Sequence, residues 1–315
     1  MDLFNYSRRQ ATEVNIGATP MGGAHPIRIQ SMTNTVTMDT EACVEQAKRI
    51  IDAGGEYVRM TTQGVREAEN MKNINIGLRS QGYDTPLVAD VHFNPNVADV
   101  AAQYVEKVRI NPGNYVDAAR TFKKLEYTDE EYAQEIEKIR ARLVPFLNIC
   151  KENYTAIRIG VNHGSLSDRI MSRYGDTPEG MVESCMEFLR ICVAEQFMNV
   201  VISIKASNTV VMMKTVRLLA AEMEKEGMAF PLHLGVTEAG DGEYVNKQYY
   251  HDVDGNVMVR HDEFIKIQHG YDLHYERVDS FDRMTDLDEL SRDLALAEDE
   301  LNEAIKDIHR VKKMF

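Results

Sequence analysis

Short apolar stretches alternate with longer amphipathic ones over the first three quarters of the 315-residue chain. The short stretches are rich in Val, Ile and Leu, the near-continuous apolar texture of strands buried on both faces. They predict strands at 25–32, 57–61, 86–93, 107–111, 156–162, 200–206 and 231–237. Between them apolar residues recur every three or four positions, which predicts helices at 39–53, 65–81, 95–105, within 118–150, at 178–196 and at 210–226. The fourth connection is the longest because it carries an acidic helical insert, EYTDEEYAQEIEKIRARLV, at about 126–150. Strand and helix in strict alternation imply a parallel sheet, either doubly wound or closed as a (β/α)8 barrel. A doubly wound nucleotide binder carries a glycine-rich loop after its first strand, but the chain reads SMTNTVTMDT there. The expectation is therefore a TIM-type barrel.

The polar residues within this pattern gather at the C-terminal ends of the strands, where barrels of this class place their chemistry. YVRMT brings Arg59, ADVHFNP brings Asp90 and His92, and VRINPGN brings Arg109 and Asn111. IRIGVNHGS brings Arg158, Asn162 and His163, ISIKASN brings Lys205, and HLGVTEAG brings His233, Thr237 and Glu238. Arg59, Arg109, Arg158 and Lys205 each interrupt an otherwise apolar strand. A buried cation costs several kcal/mol unless it is paired, and two carboxylates, Asp90 and Glu238, do not balance four cations. The expectation is a dianionic or trianionic ligand, and arginine forks favour phosphate or diphosphate; the alternative is arginines paired within the barrel interior. Glu238, one residue past a strand and next to Gly240, is the candidate acid/base or charge-stabilising group. His233, in mid-strand, reads as a core histidine.

Charge and composition narrow the ligand further. A net charge of −14 disfavours nucleic acid and anionic membrane as partners, both of which need a basic surface. No apolar run reaches the length of a membrane span, and the N-terminus lacks the layout of a signal peptide, so a cytoplasmic location is expected. Cys43, Cys150, Cys185 and Cys192 contain no CxxC pair and read as buried thiols.

The strand-end motifs SMTNT (31–35), ADVHFNP (89–95), VRINPGN (108–114), IRIGVNHGSL (157–166), SIKASN (203–208) and HLGVTEAGDG (233–242) together resemble the GcpE/IspG family of 4-hydroxy-3-methylbut-2-enyl diphosphate synthases. The likeness covers residues 1 to about 243, and the insert resembles the longer form of the family. The resemblance implies reductive ring opening of methylerythritol cyclodiphosphate in isoprenoid biosynthesis. Arg59, Arg109, Arg158, Asn162 and Lys205 would hold the diphosphate, Asp90, His92, Asn111 and Thr237 would line the pocket, and Glu238 would act near the reacting carbons. In that family electrons arrive from flavodoxin or ferredoxin through a [4Fe-4S] cluster, held on a further domain by three cysteines, two of them a CxxC pair, and a glutamate. The four cysteines here all lie in the barrel-like part, so the chain is expected to bind substrate without holding the cluster. A pterin- or other phosphate-binding barrel transferase shares the fold and is the alternative enzyme.

Beyond Tyr244 the texture changes: 17 acidic residues stand against 10 basic ones. QYYHDVDGNVMVR predicts a β-hairpin turning at Asp254-Gly255. The Asp252/Asp254/Glu263 spacing is not an EF-hand, because Val257 occupies the position that needs glycine. Apolar positions from Leu287 to Val311 step by three and four, a seam that suits either a homodimeric coiled coil or a helix packed on its own domain. The expected division is a barrel domain at 1–243 and an acidic tail at 244–315, joined by fusion or truncation, with no parallel eighth strand. Under that reading the chain could instead serve as a non-catalytic oligomerising scaffold.

Overall fold

Seven strands, β1 Gln30–Met32, β2 Tyr57–Thr61, β3 Leu87–Asp90, β4 Lys107–Ile110, β5 Ala156–Asn162, β6 Val200–Lys205 and β7 Leu232–Leu234, form one parallel sheet in chain order. They appear in a computed structural model that describes residues 9–116, 126–206, 208–234, 249–251, 257–259 and 282–283. The helices are α1 Thr40–Asp52, α2 Val65–Ser80, α3 Pro95–Ala101, α4 Pro112–Tyr115, α5 Asp129–Asn153, α6 Asp168–Tyr174, α7 Pro178–Ala194 and α8 Thr209–Lys225. The arrangement is that of a (β/α) barrel with seven strands among the described residues. Compact units divide the chain into Met1–Gly242 with Tyr271–Leu273, and Glu243–Gly270 with His274–Phe315. The second unit holds β8 Tyr249–His251, β9 Val257–Val259 and β10 Asp282–Arg283, in which β8 and β9 pair antiparallel as the expected hairpin does. The Asp254-Gly255 turn and the heptad-patterned stretch lie outside the described residues.

Strand alternation sorts the barrel's side chains onto two faces. Val58, Met60, Leu87, Ala89, Val108, Ile110, Ile157, Ile159, Ile202 and Ile204 point outward and merge with the helices into the main core. The inward residues of the floor, Tyr57, Val88, Ala156 and Val201, pack instead on Val14, Ile16 and Met21 from the N-terminal segment. That segment folds back on itself through paired Val14–Met21 backbone bonds and is tied to the far end of the barrel, where Thr12 N–H donates to the Ala229 carbonyl at 2.7 Å. It plugs the barrel floor, a role absent from the sequence reading.

Two differences in the elements have local causes. The first strand is shorter than 25–32: Pro26 offers no N–H, and the Ile29 N–H donates to the Glu56 side chain at 2.8 Å. Helices α4 and α6 were not expected, being only 4 and 7 residues long. Both α3 and α4 open on an Asn-Pro pair that follows a strand: Asn94 and Asn111 accept N–H bonds from Asn96 and Gly113, with proline at the first helical position.

The insert helix α5 begins at a capping box of Thr128 and Glu131 and is fastened to the barrel's outer layer. Its Tyr132 hydroxyl donates to Glu187 of α7, which is itself gripped by both terminal nitrogens of Arg169 from α6 at 2.5 and 2.7 Å. Arg169 and Glu187 are both buried.

Candidate anion site in the barrel interior

Register places the interior charges in ascending rows. Arg59, Val88, Lys107 and Ala156 form one row across β2 to β5; Thr61, Asp90, Arg109, Arg158 and Val201 form the next. Above them come Gly160, Ser203 and His233, and then Asn162 beside Lys205. The residues stand on one face because each is two positions from its predecessor on the strand.

Asp90 is the hub. Its carboxylate lies 3.4 Å from Arg109 Nη1, 3.5 Å from Arg59 Nε, 3.6 Å from Arg158 Nη2 and 3.9 Å from His92 Nε2. Burial favours the neutral acid, yet Arg109, Arg59, Arg158 and His92 together outweigh it and hold the carboxyl well below the usual range. His92, half-buried, is shifted toward its neutral form, first by burial, with Asp90 opposing. The contacts to Asp90 are ion pairs longer than hydrogen bonds. Buried Arg109 Nε and Nη1 and Arg158 Nε are left without hydrogen-bond partners, an uncommon condition for donors inside a protein.

Arg109 is positioned from β5: its Nη2 donates to the Gly160 carbonyl and to Asn162 Oδ1, both at 3.1 Å. Gly160 leaves the room that Arg109 occupies, since a Cβ there would fall 2.5 Å from Arg109 Nε and 3.1 Å from Ser203 Oγ. Arg59 is held by Met32, whose sulfur accepts from Nε at 3.3 Å and Nη2 at 2.9 Å. Asn111 differs in kind. Its amide nitrogen donates to Ser165 Oγ at 3.1 Å while its oxygen caps α4, so both ends of the amide serve the loop that carries it. Gly113 sits so close to this neighbour that a Cβ would lie 1.8 Å from the Ser165 carbonyl. His163, beside Asn162, has its Nε2 3.5 Å from Asp176.

The structure thus brings Arg59, Asp90, His92, Arg109, Arg158 and Asn162 into one charged cluster, with Lys205 in register with Asn162. Thr237 and Glu238 lie outside the described residues. Lys107 and the space-making Gly160 were missed in the sequence. The available signal for Lys107 was its spacing of two from Arg109, which puts both on one strand face. His233 falls on the inner face, and burial, then the nearby Arg158, Lys107 and Arg59, push its imidazole far toward the neutral form.

Parallel strands in chain order, wound with helices around an interior that carries Arg59, Arg109 and Arg158, define the class as a (β/α) barrel with a cationic interior. Comparison with known proteins carries this further: the GcpE TIM-barrel domain matches residues 11–246. The chain belongs to the GcpE family. It is 90% identical over 243 residues to the 4-hydroxy-3-methylbut-2-en-1-yl diphosphate synthase (flavodoxin) of Phocaeicola vulgatus, a match covering 77% of this chain and 40% of that protein. The synthase (flavodoxin) of Bacteroides thetaiotaomicron is 87% identical with the same coverage of each. The chloroplastic synthase (ferredoxin) of Oryza sativa is 50% identical over 241 residues, 76% of this chain and 32% of that protein. The chain therefore spans about 40% of the length of these two synthases (flavodoxin). Among the described residues no helix is long and apolar enough to cross a membrane.

Proposed function

We propose that this chain supplies the substrate-binding barrel for reductive ring opening of 2-C-methyl-D-erythritol 2,4-cyclodiphosphate to 4-hydroxy-3-methylbut-2-enyl diphosphate, a cytoplasmic step of isoprenoid biosynthesis. The observation that carries the reading is the charge imbalance around Asp90: among the described residues three guanidiniums face one carboxylate. A diphosphate is of the right charge to offset the excess, and its oxygens are acceptors for the partnerless Arg109 and Arg158 donors. In this reading Arg59, Arg109, Arg158, Asn162 and Lys205 bind the diphosphate, and Asp90 holds the guanidiniums apart and oriented. His92 and Thr237 line the pocket. Asn111 shapes its rim. Glu238 serves at the reacting carbons as acid/base or charge stabiliser.

The names of the relatives support flavodoxin or ferredoxin as electron donor, and the family resemblance implies a [4Fe-4S] cluster between donor and substrate. The described thiols do not fit such a cluster. Cys43, Cys150, Cys185 and Cys192 are all buried, burial pushes each away from the thiolate that a cluster requires, and no three candidate ligands converge among the described residues. No step through a cluster is assigned to this chain's residues.

Calorimetric titration with the cyclic diphosphate tests the proposal. Micromolar binding is expected, weakened about 10- to 100-fold in Arg109→Ala and in Lys205→Ala by loss of a charge-assisted contact. Absence of binding by the unmodified chain would refute it.

A further inference from the structure

Lys107 stands in the row of Arg59, one row below Arg109 and Arg158. It faces the barrel interior in register with Val88 and Ala156. It is fully buried, and its Nζ has no hydrogen-bond partner. The nitrogen lies 4.1 Å from the centroid of the Tyr57 ring. The surrounding floor is apolar: Val14, Ile16 and Met21 from the plug, with Val88, Ala156 and Val201 from the strands.

The ionisable groups around Lys107 are readily named. From β2 come Arg59 and Tyr57, whose hydroxyl donates to the Thr19 carbonyl and is kept protonated by burial. Arg158 comes from β5 and His233 from β7, with Arg109 on β4 itself and Asp90 on β3 one row higher. Asp90 is already engaged by three guanidiniums. Burial first, and then the like charges of Arg158 and Arg59, push the Lys107 amine well below its usual range.

We propose that Lys107 is a proton acceptor built at the base of the anion site, neutral while the neighbouring arginines stand alone and protonated when a polyanion settles on Arg59, Arg109 and Arg158. The inference rests on the anion-binding reading above and deepens it: the ligand is a polyanion bound together with a proton. Two residues along a strand span about 7 Å. Across that distance, in a medium of effective dielectric near 20, a dianion raises the proton affinity of an amine by about a thousandfold. Burial keeps solvent from screening the interaction.

The test is calorimetry of the full chain with inorganic diphosphate at pH 8, in Tris and in HEPES, whose different ionisation heats report the protons taken up. The same titrations on Lys107→Met remove diphosphate's own change of protonation by difference. The wild type should take up about one proton more per bound diphosphate than the variant. Binding by both with equal uptake overturns the inference and leaves the anion site intact. Failure of the wild type to bind diphosphate overturns the anion-site reading itself. Inorganic sulfate, a dianion at pH 8, provides a measurement that needs no variant: uptake near one proton supports Lys107 as acceptor, and uptake near zero overturns it.

Discussion

Replacing Asp90 by Asn removes one negative charge from the centre of the barrel with almost no change of shape. At 3.4 to 3.6 Å and an effective dielectric near 20, each guanidinium contact carries about 5 kcal/mol of gross attraction. Much of that is offset by desolvation, and the measurable loss on deleting one partner of a buried ionic cluster is about 3–5 kcal/mol. Urea denaturation of the Asp90→Asn chain should show a loss of this size, a large part of a domain's total stability. Diphosphate should then restore more stability to the variant than to the wild type, because the anion replaces the missing charge; at a hundredfold excess over Kd binding contributes about 2.7 kcal/mol. The pH dependence follows from the same group. Its folded-state pKa lies below the unfolded value, so its stabilisation is complete above about pH 4 and is lost as acid carries the solution below that toward the folded value. That part of the acid limb should be missing in Asp90→Asn. A variant as stable as the wild type, or one that gains nothing extra from diphosphate, refutes the role assigned to Asp90.

Gly160→Ala should displace Arg109, since the added methyl meets Nε at 2.5 Å; overpacking of about 1–3 kcal/mol should accompany weaker diphosphate binding by calorimetry, and normal affinity would show that Arg109 has another seat. Arg169→Met should cost about 3–5 kcal/mol at pH 8 by leaving Glu187 buried without its counter-charge. Burial already raises the Glu187 pKa, so protonation should shrink that loss at pH 5, and Glu187→Gln in the same chain should recover most of it; denaturation curves that ignore both changes would argue against the clamp.

The barrel class was legible because its strands are buried on both faces and so read as apolar runs. Arg59, Arg109 and Arg158 were legible for the same reason, each being a cation set between apolar residues of its strand. Lys107 was not: it opens its strand, where a polar residue looks like a boundary, and the pairing Val88–Lys107–Ala156 is what places it inside the strand. The short helices α4 and α6 fall below the length at which periodicity carries information. The floor plug was hidden differently. Val14, Ile16 and Met21 follow neither a strand nor a helix period, and their burial depends on partners that no local pattern reveals.

The plug also bears on how the chain reaches its folded state. Val14 and Ile16 leave the ribosome well before their partners, which extend to Val201, and Thr12 bonds Ala229 across a separation of 217 residues. Contacts so distant in sequence form slowly, and during synthesis they cannot form until β6 and the turn after α8 have emerged. Until then the segment of Val14, Ile16 and Met21 has nowhere to dock, and the apolar floor stays open to solvent and to any holdase that captures exposed aliphatic surface. Sealing the floor is thus timed by the arrival of Val201 and Ala229 rather than by the residues that do the sealing.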